Sequence, residues 1–471
     1  MIRIIRVKSD GEFRQTGLHL GRREMLTLYG PKPRRAGYCD GVSRRAFLKI
    51  GALGVGAAGL NLADLYRAEA ASGTTLGHKA VINIFLGGGP PHQDMWEIKT
   101  EAPKEIRGPF QPISTNEPGI QIGECFPKIA QIMDKSIVLR AVVGCEGRHD
   151  SFQCMTGWRY SELRSMGGHP ALGSVLTKLH GPVDRSVPPY VGLADVGVWK
   201  DPGTPGFLGP TYAPFQPNGQ GMADMKLNGM TLDRLSDRKQ LLNSVDTLRR
   251  DVDATGKLEA LDAYEQRAFD VLTSSKLIDA LDLSKEDSAL RERYGDGKPY
   301  KFQYDGSPTI NEHILMARRL VEAGVRCVSM SYGRWDSHGD NEGLVRDHGP
   351  KLDQGVSALI TDLDERGMLD DVTVLVWGEF GRTPKINDGG GRDHWPEVSC
   401  AFMAGGGMRT GQAIGSTNRL GERAHTRPVH VQEVFSTVYR NLGIDTQHTT
   451  ISDPAGRPQY LTEHGPIREI C

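Results

Sequence analysis

Five short stretches of the chain concentrate carboxylates and imidazoles. They are His92-Gln93-Asp94, Arg148-His149-Asp150-Ser151, Trp335-Asp336-Ser337-His338-Gly339-Asp340-Asn341, Gly378-Glu379-Phe380-Gly381-Arg382-Thr383-Pro384 and Gly391-Arg392-Asp393-His394-Trp395. Carboxylate oxygens and imidazole nitrogens are the donors that zinc and the hard divalent cations take. A single His or Asp in a loop is an ordinary cap or hydrogen-bonding residue. Five such clusters, each beside a run that reads as a strand, point to one shared site.

Those runs are Ala80 to Leu86, Ile137 to Val143, Val325 to Met330 and Val372 to Trp377. They are nearly continuous in apolar residues, as strands buried on both faces are. Amphipathic stretches from Ile314 to Ala323 and from Leu352 to Glu365 precede the last two. The fold class expected is α/β: a doubly wound, mostly parallel sheet flanked by helices. In such sheets ligands bind at the carboxyl ends of the strands, where the polar clusters fall. Residues 187–229, rich in Gly and Pro, read as a long irregular loop, and 232–293 as two or three amphipathic helices. Together they predict a loop and helical insertion at about 187–300 within a single domain, 71–471.

Composition excludes several classes. The 471 residues are 38% hydrophobic before their 58 glycines are counted, which rules out general disorder. The net charge of −1 hides an asymmetry. Residues 1–70 hold 13 Lys+Arg against 6 Asp+Glu, leaving 44 against 52 in the rest. An acidic body has no surface for nucleic acid. Gly87-Gly88-Gly89 is no dinucleotide loop, because His92 stands where the third glycine belongs and Pro90-Pro91 cannot open its helix. No Walker A loop and no G-x-S-x-G elbow occurs.

The basic segment ends in Ser43-Arg44-Arg45-Ala46-Phe47-Leu48-Lys49, a mildly apolar run from Ile50 to Leu60, and Ala68-Glu69-Ala70. This reads as a twin-arginine export signal, cleaved after Ala70, and implies the twin-arginine translocase as a partner and a periplasmic or secreted location. The apolar run is too short for a membrane anchor. Six cysteines follow the cleavage site without a C-x-x-C pair, and Cys145 with Cys154 is the nearest pair for a disulfide.

The strings Trp335 to Asn341, Gly378 to Pro384, Gly391 to Trp395 and Ala404-Gly405-Gly406-Gly407 resemble the bacterial family called domain of unknown function 1501, as do Ala317 to Val325 and Gly456-Arg457-Pro458. Such proteins are often labelled sulfatase-like, and the family is similar in turn to the alkaline phosphatase superfamily of metal-dependent hydrolases. The resemblance implies an alkaline-phosphatase-like fold and a divalent metal (zinc, manganese or calcium) held by Asp94, Asp336, His338, Glu379, Asp393 and His394. It places the nucleophile at Ser151 or Thr156, with His149 and Arg382 assisting, Arg382 by pairing with the anionic oxygens of a small-molecule or glycan ester. Glu379-Phe380 stands where the superfamily has Asp-His, which argues for one metal or a rearranged pair. Neither Cys145-Glu146-Gly147 nor Cys125-Phe126-Pro127 supplies the C-x-P-x-R signature of formylglycine sulfatases. The expected function is hydrolysis of phosphate- or sulfate-ester-like substrates. The alternative is a non-catalytic descendant of the fold that binds a glycan or a protein.

Overall fold

The computed structural model describes residues 25–27, 49–51, 78–193, 203–217, 275–295 and 306–471. The chain divides into two units, 1–73 and 74–471. In the first, Met25–Thr27 pairs antiparallel with Lys49–Gly51. Arg44, Arg45 and the cleavage site expected after Ala70 lie outside the described residues, as do residues 232–274 of the expected helical insertion. Among the described residues no helix is long and apolar enough to cross a membrane.

The second unit is built on an eight-stranded sheet. In chain order its strands are β1 (Ala80–Phe85), β2 (Ser136–Val143), β3 (Tyr190–Leu193), β4 (Cys327–Ser331), β5 (Val372–Trp377), β6 (Ser399–Gly405), β7 (Gln412–Ile414) and β8 (Val429–His430). Across the sheet the order is β7-β2-β6-β5-β1-β4-β3, with β8 also paired to β2. Strand β1 is parallel to β4 and β5, β4 to β3, and β2 to β7 and β8. Strand β6 alone in this sheet runs against its neighbours, β2 and β5. The expected mostly parallel sheet is therefore present. Strand β3 lies inside the stretch that reads as irregular loop. Four residues of Tyr-Val-Gly-Leu among prolines and glycines make too short a pattern, and their strand state comes from pairing with β4.

Both faces of the sheet are covered, and the side chains alternate between them as strand geometry requires. Ile82 and Ile84 of β1 and Val374 and Val376 of β5 enter one core, with Val328 and Met330 of β4. Helices α2 (Asn311–Glu322) and α3 (Asn341–Glu365) close that face. Val81, Phe85, Leu375 and Trp377 point to the other face, beneath α1 (Leu172–Leu179) and α4 (Val431–Asn441). Helix α3 begins well before Leu352, where the sequence pattern starts, and runs through Pro350. An interior proline costs a helix about 3 kcal/mol. Leu344, Val345, Leu352, Val356 and Leu359, all buried on the sheet, outweigh it, and the Asp340 side chain caps the start by accepting from Gly343 N. All six cysteines of this unit are free thiols.

Several histidines are buried with the core. Burial pushes His92 down to about 3 and His169 to about 4, against an ordinary 6.5. The unfolded chain protonates these rings below pH 6.5 and the native chain only near pH 3 to 4. Unfolding therefore takes up protons in that window, and these two groups make stability fall as pH drops from 6.5 toward 4. The burial-raised carboxyl of Asp353, at about 6, acts in the opposite sense. Replacing His92 with phenylalanine is expected to flatten the decline of melting temperature between pH 6.5 and 4. An unchanged slope would refute the assignment.

Candidate metal centre

Strands β1, β2, β4 and β5 point the same way, so the residues after each emerge from one edge of the sheet. Strand β6 runs the other way, so the residues before it reach that same edge. The register makes this concrete: Phe85 lies opposite Ser331 and Trp377, and Ser399 opposite Val142. All five polar clusters therefore start from one rim. Two glycines let their loops close up. Gly88 has φ +105°, and a Cβ there would stand 2.4 Å from the Asp336 backbone N; one on Gly391 would stand 2.1 Å from the His338 carbonyl. Only glycine permits such an approach.

Four side chains converge. One donor atom each from His149, Asp336, His338 and His394 lie within 4.8 Å of one another, a spacing that suits a metal ion. The hub is Asp336 Oδ1, 3.5 Å from His149 Nε2, 3.1 Å from His338 Nε2 and 3.3 Å from His394 Nε2. His338 Nε2 and His394 Nε2 are themselves 3.0 Å apart. Two of the rings are held from behind by carboxylates: His149 Nδ1 lies 3.1 Å from Glu379 Oε1, and His338 Nδ1 lies 2.7 Å from Asp393 Oδ1. A ring that donates Nδ1–H to a carboxylate presents a lone pair at Nε2. Lone-pair nitrogens gathered on a carboxylate oxygen repel unless a cation or proton lies among them, and the protein has built this arrangement from three separate loops.

The floor of the site is charged and buried. Arg382 is fully buried. Its Nε donates to Gly89 O at 3.1 Å and Nη1 to Arg392 O at 2.9 Å, while Nη2 donates to Gly88 O and to Asp336 Oδ1. Arg334 Nη2 lies 3.3 Å from the other oxygen of Asp336. Burial works to raise the Asp336 carboxyl, but the charge and hydrogen bond of Arg382, aided by His149 and His338, hold it below the ordinary range. Burial, with repulsion from His149 and Arg382, pushes His394 down to about 4. Both shifts leave the donors in the deprotonated forms that bind metal. Glu379 differs: burial raises its carboxyl, opposed by the bond to His149. Its Oε1 also accepts from Gly88 N at 2.8 Å, and its Oε2 is buried with no hydrogen-bond partner among the described residues. Phe380 lies buried against the rings of His149 and His394, at 5.2 and 4.6 Å.

The structure thus brings together Asp336, His338 and His394 of the expected ligands. It adds His149, read from sequence as an assistant to catalysis, and sets Glu379 and Asp393 one layer back. Asp94 stands apart from the four. Both its oxygens are taken, by Arg392 Nε and Nη2 at 2.7 and 2.9 Å and by Asn341 Nδ2 at 2.8 Å. Arg382 likewise spends its donors inside the protein, on three carbonyls and Asp336, so the expected pairing with substrate oxygens is replaced by a hold on Asp336. The Thr156 hydroxyl donates to Phe152 O, one helical turn back. Ser151 is buried two residues beyond His149, at the start of the short helix Phe152–Thr156. Sequence reading assigned nothing to Arg334 or to the Arg392 clamp. The only signal was position: Arg392 inside one polar string and Arg334 directly before another.

Removing a carboxylate behind a ligating histidine typically costs 10- to 100-fold in metal affinity. Glu379→Gln is expected to fall toward the upper end and the half-exposed Asp393→Asn toward the lower, as read by chelator competition. Full affinity in both variants would refute the orienting role.

The family model described as "Protein of unknown function (DUF1501)" matches residues 78–471. No curated protein matches the sequence. Similar solved structures include Ps i-CgsB in complex with k-i-k-neocarrahexaose, at 10% identity and TM-score 0.35, covering 78% of this chain and 72% of that one. The lipoteichoic acid synthase LtaP from Listeria monocytogenes matches at 9% identity and TM-score 0.35, over 79% and 73%. The PsFucS1 sulfatase from Pseudoalteromonas sp. matches at 13% identity and TM-score 0.34, over 82% and 72%.

Proposed function

The chain belongs to the DUF1501 family, and from its rim of convergent donors we propose that it is an exported, metal-dependent hydrolase of phosphate- or sulfate-ester-like substrates. The observation that carries the reading is the meeting of three imidazole Nε2 atoms on Asp336 Oδ1, with carboxylates behind two of the rings. Three nitrogens and one carboxylate fit zinc. They fit manganese less well, and calcium least, since it takes six to eight oxygens. His149, Asp336, His338 and His394 would hold the ion. When bound, such an ion polarises the ester oxygen and lowers the pKa of a water or hydroxyl.

The other residues act on this frame. Arg382 keeps Asp336 ionised, while Glu379 and Asp393 fix the ring orientations of His149 and His338. Ser151, on the same loop as His149, is the nucleophile of this reading. With Asp94 committed to Arg392, the site is one for a single metal. Export rests on the Ser43–Lys49 string. A glycan- or protein-binding role without catalysis is the second reading, favoured by Phe380 standing in place of an imidazole.

Protein recovered from the periplasmic or culture fraction is expected to carry about one zinc per chain and to hydrolyse an aryl phosphate diester or an aryl sulfate, with turnover lost in Ser151→Ala. Protein without metal and without turnover would overturn the hydrolase in favour of the binder. Turnover retained in Ser151→Ala would move the attack to water, and recovery from the cytoplasm alone would refute export.

A further inference from the structure

Beyond the short helix Phe152–Thr156 that follows His149, an aromatic ring meets two guanidiniums, one of them from the His149 loop. Arg148 Cζ lies 4.2 Å from the centroid of Tyr160, and Arg164 Cζ lies 4.1 Å from it. The ring is itself anchored: Tyr160 N–H donates to Glu146 Oε2 at 2.7 Å, and Phe152 packs against it edge-on at 5.5 Å. Arg148 directly precedes His149, so their Cα atoms are about 3.8 Å apart.

The neighbouring carboxylates do not use up these cations. Glu146 is spent on the Tyr160 backbone, and Glu162 accepts from Arg159 N at 3.3 Å. Asp150 accepts from Arg148 Nε at 2.9 Å and from Phe152 N at 3.2 Å. That leaves both terminal nitrogens of Arg148 without an acceptor among the described residues. Exposed Arg164 makes no hydrogen bond or ion pair among the described residues, only its stack on Tyr160.

Two like charges held on one ring repel, and an anion between or beside them relieves the repulsion. A guanidinium offers paired donors that match the oxygens of sulfate and phosphate, and stacking on an aromatic face holds it ready. We propose that Arg148, Tyr160 and Arg164 form a recognition platform for a second tetrahedral oxyanion, so that the substrate of the neighbouring metal site carries at least one further sulfate or phosphate group. This rests on the hydrolase reading above. The platform selects the substrate, and the metal rim acts on one of its esters.

The test is isothermal titration of the full protein with two probes, a heparin-derived tetrasaccharide and inorganic tripolyphosphate. At least one is expected to bind. The probe that binds names the source of the oxyanion, and binding of both assigns the shared chemistry. Arg148→Ala and Arg164→Ala are each expected to weaken binding about tenfold, as loss of a charged hydrogen-bonding partner does. Zinc per chain and the far-ultraviolet spectrum are expected to stay unchanged. Arg164→Lys, which keeps the charge but loses the fork, is expected to recover only part of the loss. Lys285→Ala removes the same charge from a distant helical segment and is expected to bind as the wild type does. No binding of either probe, or equal weakening in Lys285→Ala, would overturn the platform. A metal-free, inactive protein that still binds through Arg164 would overturn the hydrolase reading and leave the platform standing as an anion site.

Discussion

Replacing Asp336 with asparagine is expected to empty the metal site and lower turnover on the order of a thousandfold. The amide keeps the shape of the side chain but removes the charge on which three imidazole nitrogens converge. A thousandfold corresponds to about 4 kcal/mol, the scale of transition-state stabilisation that a Lewis-acidic ion supplies. Arg382 adds to the effect. It is fully buried, and its Nη2 donates to Asp336 Oδ1, so the substitution also leaves a guanidinium without its counter-charge. Metal analysis of the purified variant is expected to show well under a tenth of the wild-type zinc. Wild-type zinc content at undiminished affinity would mean that the ion sits elsewhere.

Asp94→Ala is expected to behave in the opposite way, with a large loss of stability and little loss of metal. Asp94 and Arg392 are both fully buried, and they meet through two parallel hydrogen bonds. Arg392 is also tied to the carbonyls of Thr383 and Ile106 at 3.1 and 2.9 Å. Removing the carboxylate strands a cation that cannot reach water, which typically costs about 3–5 kcal/mol. In a domain of this size that lowers the melting temperature on the order of 5–10 °C. Asp94→Asn retains the Asn341 contact and part of the Arg392 hydrogen bonding, and it is expected to fall between the wild type and alanine. A variant of normal melting temperature that had lost its zinc would instead make Asp94 a ligand.

This contrast shows where reading the chain stops. Asp94 and Asp336 look alike in sequence: each is an aspartate beside a histidine in the polar string after an apolar strand. They part company because a guanidinium 298 residues further along reaches Asp94, while three imidazoles from separate loops reach Asp336. His149 was drawn to Asp336 in the same way. Its string resembles the others in composition, but its place depends on where the end of β2 falls relative to β4 and β5. Phe380 was legible as a departure from the superfamily pattern, and its packing against His149 and His394 explains how an apolar ring can occupy the rim.

Local chemistry determined a good deal. The apolar runs at 80–86, 137–143, 325–330 and 372–377 read as strands buried on both faces, as β1, β2, β4 and β5 are, and the glycines beside them are needed where loops approach within contact of one another. The same runs determined that the polar strings fall at strand ends, and so that carboxylates and imidazoles would gather on one rim. Tertiary structure alone decided the rest. Strand β6 mixes small and sulfur-bearing residues with Phe402 and shows no distinctive period, and its antiparallel direction comes from pairing with β2 and β5. That reversal delivers Asp393 and His394 to the rim from the far side. The division of the carboxylates into one that meets three imidazoles, two that hold ring nitrogens from behind and one paired with a buried guanidinium follows from which cation or imidazole each one meets. Apart from His338, two residues from Asp336, those partners lie tens to hundreds of residues away along the chain, a distance over which spacing carries no information and packing carries all of it.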